Sequence, residues 1–147
     1  MTPSLRDLYQ RTILEHHARP HNRGPLPART HEATVHNPLC GDHVTLRLVL
    51  DGRRIVEARF EGEGCALSRA SASLLTVAVK ERGAEEAEAL AAELEKLLAR
   101  GPEHELADRD RLGDLVALEG VRDVPARRRC ATLPFEALRA ALVKPAG

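Results

Sequence analysis

Three cysteines carry most of the chemical potential of this chain: Cys40, Cys65 and Cys130. Cys40 stands in "NPLCGDH", two residues before Asp42. Cys65 follows Gly62 and Gly64 in "GEGCALSRASAS", and Cys130 closes the basic run "PARRRC". An odd number of cysteines leaves one thiol over from any closed disulfide framework. Two readings follow. The thiols are buried fillers, as free cysteines often are, or they are metal ligands and reactive groups, the usual roles of working cysteines in a reducing compartment.

The elements that position these thiols can be read from periodicity. In "DHVTLRLVLDG" Val44, Leu46, Leu48 and Leu50 alternate with polar residues, the period of a half-buried strand. Asp51-Gly52 signals a hairpin turn. "IVEARFEG" supplies the return strand, with Val56, Ala58 and Phe60 expected on one face, and a short strand around 33–36 can pair alongside. A hairpin returns the chain to its starting point, so Cys40, just before the first long strand, and Cys65, just after its partner, should meet. Asp42 shares a face with Cys40 in extended chain, while His43 points away. Cys130 is distant in sequence, and only tertiary packing can bring it to the others.

Helices account for the rest. Residues 4–17 read as a helix with Ser4 as N-cap, followed by the irregular stretch holding Pro20, Gly24, Pro25 and Pro27. Helical spacing resumes over 66–80, Gly83 interrupts it, and 84–100 is a helix with a solvated charged face. A shorter helix is expected over 112–119, and a last one in 125–143, with Thr132 and Pro134 suiting its first turn. Strands first and helices after give an α+β domain: a small antiparallel three-stranded sheet packed against four to five helices.

Two or three thiolates with a carboxylate suit Zn²⁺, which prefers tetrahedral sulfur and nitrogen ligands and tolerates oxygen. Gly41, Gly62 and Gly64 let backbone come close to such a site, and the helix N-terminus after Cys65 favours its thiolate. Other candidates are weaker. His16 and His17 read as surface or capping residues, and His31, His36 and His104 have no evident partner. Ser68, Ser71 and Ser73 have no His/Asp arrangement that would activate a hydroxyl. Acidic and basic residues balance at 22 each, which gives no field for nucleic acid. No apolar run is long enough to span a membrane and no signal-peptide layout opens the chain, so a cytoplasmic protein is expected.

With these residues in view, "NPLCGD", "GEGCALSRASAS" and "PARRRCATL" resemble, in order, the motifs of the SufU-type proteins of iron–sulfur cluster assembly, within the wider IscU-like and NifU N-terminal group. "LYQRTILEHHARPHNRG" resembles the opening segment of that family, so the likeness runs over nearly the whole chain. It implies one domain over 1–147 with a SufE/NifU-like fold and a helical insertion around 84–112. It also implies one metal site made by Cys40, Asp42, Cys65 and Cys130. Scaffolds of the IscU type carry a His immediately before the last cysteine, where Arg129 stands here. This difference and the long stretch between Cys65 and Cys130 resemble the SufU subfamily, whose site holds zinc. Arg127 matches that subfamily's arginine three residues before the last cysteine.

The resemblance implies a sulfur carrier that takes persulfide sulfur from a pyridoxal-phosphate cysteine desulfurase of the SUF type and passes it to a downstream assembly scaffold. The partner offers a histidine to zinc, Cys40 is displaced, and its thiolate attacks the persulfide. Arg127 steadies the added negative charge or docks the partner, or is only one solvated arginine of a basic run. The competing readings are a scaffold on which an iron–sulfur cluster is built and a purely structural zinc module. Asp42 argues against the latter, since closed structural sites use Cys and His.

Overall fold

The structure is a computed structural model and describes residues 5–39 and 41–146. Helix α1 (Leu5–Ala18) precedes three strands, β1 (His31–His36), β2 (His43–Asp51) and β3 (Arg54–Glu63). Helices α2 (Ala66–Val79), α3 (Ala84–Leu97), α4 (Arg109–Leu112) and α5 (Arg128–Leu142) follow. Short 3-10 segments occupy Pro102–Leu106, Gly113–Asp123 and Pro125–Arg127. The strands form one antiparallel sheet in the order β1-β2-β3. Ser4, the expected N-cap of α1, lies outside the described residues.

The β2–β3 hairpin is the positioning device. Alternation in β2 buries Val44, Leu46 and Leu48 on the helix side. The two-residue turn between Asp51 and Arg54 is made by Gly52 and Arg53, and Gly52 takes a φ of +62°, which a side chain would disfavour. Register pairs His43 with both His36 and Glu63, so Asn37, Asp42 and the exit from β3 lie at the same end of the sheet. Val56 does not share the inward face with Ala58 and Phe60. Val49 pairs with Glu57 and Leu50 with Ile55, which leaves Val56 as the extra residue of a bulge and turns Ile55 into the core.

Helix α5 lies across β1 and β2, and α2 packs between α5, α1 and β3. Leu46, Leu48, Ile55, Leu75, Leu133 and Leu138 are fully buried between these layers. The charged face of α3 is solvated except at Glu93, which is buried and accepts from the Asp108 N–H at 3.1 Å and from Lys96 Nζ at 3.3 Å. Two further expectations need correction. The helix expected over 112–119 is instead the 3-10 segment Gly113–Asp123, because Leu112, Leu115, Leu118 and Val121 recur every third residue and a three-residue turn buries all four. Neither Thr132 nor Pro134 is in the first turn of α5, since that helix starts at Arg128, and Pro134 falls inside it. Its missing N–H deprives the Cys130 carbonyl of its helical donor.

Candidate metal centre

Three elements deliver one donor each to the end of the sheet. Asp42 immediately precedes β2, Cys65 is the N-cap residue of α2, and Cys130 lies in the first turn of α5. One ligand atom from each of the three lies within 4.8 Å of the other two. Asp42 is 6% exposed, Cys130 4%, and Cys65 half-buried. The structure therefore brings together three of the four residues expected in one site, including Cys130. The fourth, Cys40, lies outside the described residues.

Local backbone chemistry fixes Asp42. The Asn37 N–H donates to the Asp42 carbonyl at 2.8 Å, the Gly41 N–H to the Asn37 carbonyl at 2.9 Å, and the Leu39 N–H to Asn37 Oδ1 at 3.2 Å. Asn37 is the organising residue that sequence reasoning passed over. Its signal was available in "NPLCGD", because an Asn side chain commonly bonds the backbone two residues on. Gly41 takes a φ of +76°. The glycines before Cys65 also serve close approach: a Cβ on Gly62, whose φ is +155°, would stand 2.1 Å from the His43 carbonyl oxygen, and one on Gly64 would stand 2.4 Å from Ser68 Oγ and 3.1 Å from Asp42 Cγ.

Ser68 Oγ lies 3.3 Å from Asp42 Oδ2, 3.1 Å from the Cys65 carbonyl and 3.8 Å from Cys65 Sγ. Burial, then the hydrogen bond and charge of Cys65 and the charge of Asp42, push the Cys130 thiol up to about 11, with Arg127 working in the opposite direction. Arg127, exposed at the end of the 3-10 segment Pro125–Arg127, lies against both sulfurs. Its hydrogen bond to Cys130 and the charges of Cys65 and Cys130 hold its pKa above the ordinary value. Cys130, buried beside Cys65 and Asp42, resists becoming an anion in the absence of a cation, and a divalent ion removes that conflict. The residues thus fit a thiophilic cation.

The remaining candidates are employed elsewhere. His43 turns from Asp42 and stacks on His36 with centroids 5.5 Å apart. Arg129 does not enter the cluster: its Nε and a terminal nitrogen donate to Glu136 at 3.2 Å, and it reaches the His36 carbonyl at 3.4 Å. His16 is not a free surface residue, since its Nδ1 lies 2.7 Å from Ser73 Oγ, tying α1 to α2. His17 holds a buried Nδ1. His31 meets Thr30 Oγ1 at 2.9 Å, and His104 Nδ1 meets the Leu97 carbonyl at 2.8 Å.

Residues 8–131 match the family model described as the NifU-like N terminal domain. The chain belongs to this family. It is 39% identical over 144 residues to the zinc-dependent sulfurtransferase SufU of Bacillus subtilis, covering 98% of this chain and 95% of that protein. It is 35% identical over 142 residues to the iron–sulfur cluster assembly scaffold protein IscU of Streptococcus pyogenes, covering 97% and 87%. The crystal structure of the N-terminal part of a nitrogen-fixing NifU-like protein from Brucella abortus superimposes with a TM-score of 0.81 at 31% identity, covering 91% of each chain. Among the described residues no helix is long and apolar enough to cross a membrane.

Proposed function

We propose that this NifU-like domain works in iron–sulfur cluster biogenesis as a cytoplasmic sulfur carrier, accepting persulfide sulfur from a cysteine desulfurase of the SUF type and yielding it to a downstream assembly scaffold. The observation that carries the reading is the convergence of Asp42, Cys65 and Cys130 within 4.8 Å at one end of the sheet. Cys40, two residues before Asp42 in sequence, is the proposed fourth ligand and the acceptor thiol. Bound Zn²⁺ would supply positive charge that keeps these thiols as thiolates. The segment 84–112 is read as an insertion in this single domain.

The chemistry asked of the chain is thiol exchange. The Cys40 thiolate attacks the terminal sulfur of the desulfurase's cysteine persulfide. A new S–S bond forms on Cys40, the S–S bond of the partner breaks, and the partner's cysteine leaves as a thiolate. Asp42, Cys65 and Cys130 are anchored by strand and helix termini and stay in place. Arg127, exposed beside Cys65 and Cys130, offers a guanidinium to the persulfide anion.

A second reading, a scaffold on which an iron–sulfur cluster is assembled, is favoured by the likeness to the scaffold protein of Streptococcus pyogenes. Against it stands Arg129, which occupies the position before Cys130 and is bound to Glu136. The test is to load the purified chain with zinc and measure whether it accelerates a SUF-type desulfurase. The carrier reading predicts acceleration that is lost in Cys40→Ala. An anaerobically assembled, transferable cluster with no acceleration would instead establish the scaffold.

A further inference from the structure

Ser68 carries a buried hydroxyl outside the ligand set, and its contact with the Asp42 carboxylate sets it apart from the other hydroxyls of α2. It is 1% exposed and one turn from the N-cap Cys65, so it faces the side from which that cysteine's sulfur projects. Its oxygen meets three acceptors or donors at once: Asp42 Oδ2 at 3.3 Å, the Cys65 carbonyl at 3.1 Å and Cys65 Sγ at 3.8 Å. A hydroxyl has one proton to give and two lone pairs to receive with. Ser68 accepts from Cys65 Sγ, and its one proton is shared between Asp42 Oδ2 and the Cys65 carbonyl.

The geometry assigns Ser68 as the positioning residue of the centre: it holds the Asp42 carboxylate through one oxygen, so that the remaining lone pairs of that carboxylate are free for a cation. This rests on the reading of Asp42 and Cys65 as cation ligands. Three observations support it. No other described side chain donates to the Asp42 carboxylate in the hydrogen bonds of the structure. Asp42 is itself buried, so water replaces Ser68 only at a cost. Gly64 keeps the space between the two open, since a Cβ there would sit 2.4 Å from Ser68 Oγ. Partners that orient a metal-binding carboxylate in this way typically change metal affinity by about 10- to 100-fold when removed.

A double-mutant cycle on the full chain tests it, with zinc affinity measured by competition against a chromophoric chelator for wild type, Ser68→Ala, Asp42→Ala and the double variant. Ser68→Ala should weaken zinc by about 10-fold or more. In the Asp42→Ala background the same change should matter by less than about twofold. An unchanged affinity in folded Ser68→Ala, or an equal loss in both backgrounds, overturns the role of Ser68 while leaving the metal centre intact. An unchanged affinity in Asp42→Ala overturns the reading on which it rests. If Ser68→Ala does not fold, Ser68→Thr and Ser68→Val present equal shapes with and without the hydroxyl. Thr should then bind zinc more tightly than Val, and equal affinities would refute the assignment.

Discussion

The two halves of α2 carry the same kinds of residue and use them for different ends. At its N-terminal end Cys65 and Ser68 face Asp42 and Cys130, four polar groups gathered beside Arg127. One and two turns further on, every hydroxyl has a structural partner. Ser71 donates to the Ala131 carbonyl at 2.6 Å. Ser73 accepts from the His21 N–H at 2.7 Å and meets His16, and Thr76 donates to the Ser73 carbonyl at 2.8 Å and accepts from Asn22 Nδ2 at 3.2 Å. The difference teaches that small polar residues on a helix identify a site only where their neighbours leave charge unmatched. The serines at 71 and 73 are mortar between α2, α5 and the segment after α1.

Substitutions at the two ends should therefore separate metal binding from stability. The largest effect is expected for Cys130→Ser, which removes a buried ligand. Zinc affinity should fall by at least about 100-fold, while circular dichroism of the metal-free chain stays close to wild type. Retained affinity would remove Cys130 from the centre. Gly64→Ala comes next, because the added methyl meets Ser68 Oγ at 2.4 Å. It should lower both chelator-measured zinc affinity and stability, the latter by about 1–3 kcal/mol as overpacking does.

At the structural end, Ser71→Ala should lower the unfolding free energy in urea by about 1 kcal/mol and leave zinc affinity unchanged. A change in affinity there would blur the distinction between the two ends. The smallest effect belongs to His16. Burial, then the neighbouring His21, hold its imidazole below the ordinary value of 6.5, with Asp114 and Glu15 opposing. The folded chain thus binds fewer protons at this residue than the unfolded one. Its contribution is complete above 6.5 and declines as pH falls through 6.5 toward the lower folded value. Urea midpoints at pH 7.5 and 5.5 should fall further for wild type than for His16→Gln, and equal falls would contradict this.

The meeting of Asp42 with the entrance to α2 was legible in the sequence, because period two in β2 and the turn signal at Asp51-Gly52 fix which strand ends coincide. The fold class was legible for the same reason. Cys130 could not be placed from local pattern: its position depends on α5 lying across β1 and β2 and on the Ser71–Ala131 hydrogen bond, both of them tertiary. The bulge at Val56 escaped because two consecutive apolar residues, Ile55 and Val56, satisfy alternation in either register. The 3-10 segment escaped because leucines at a spacing of three also fit one face of an α-helix. His16 escaped because its partner, Ser73, lies 57 residues away.

The central claim is that one cation joins Cys40, Asp42, Cys65 and Cys130. X-ray absorption at the zinc edge, on the full chain carrying one equivalent of zinc, tests it most directly. The expected result is a first shell of three sulfurs at about 2.3 Å and one oxygen at about 2.0–2.2 Å, with the oxygen lost or replaced in Asp42→Ala. A shell of nitrogen and oxygen alone, or one unchanged when Cys65 and Cys130 are both replaced by serine, would contradict it.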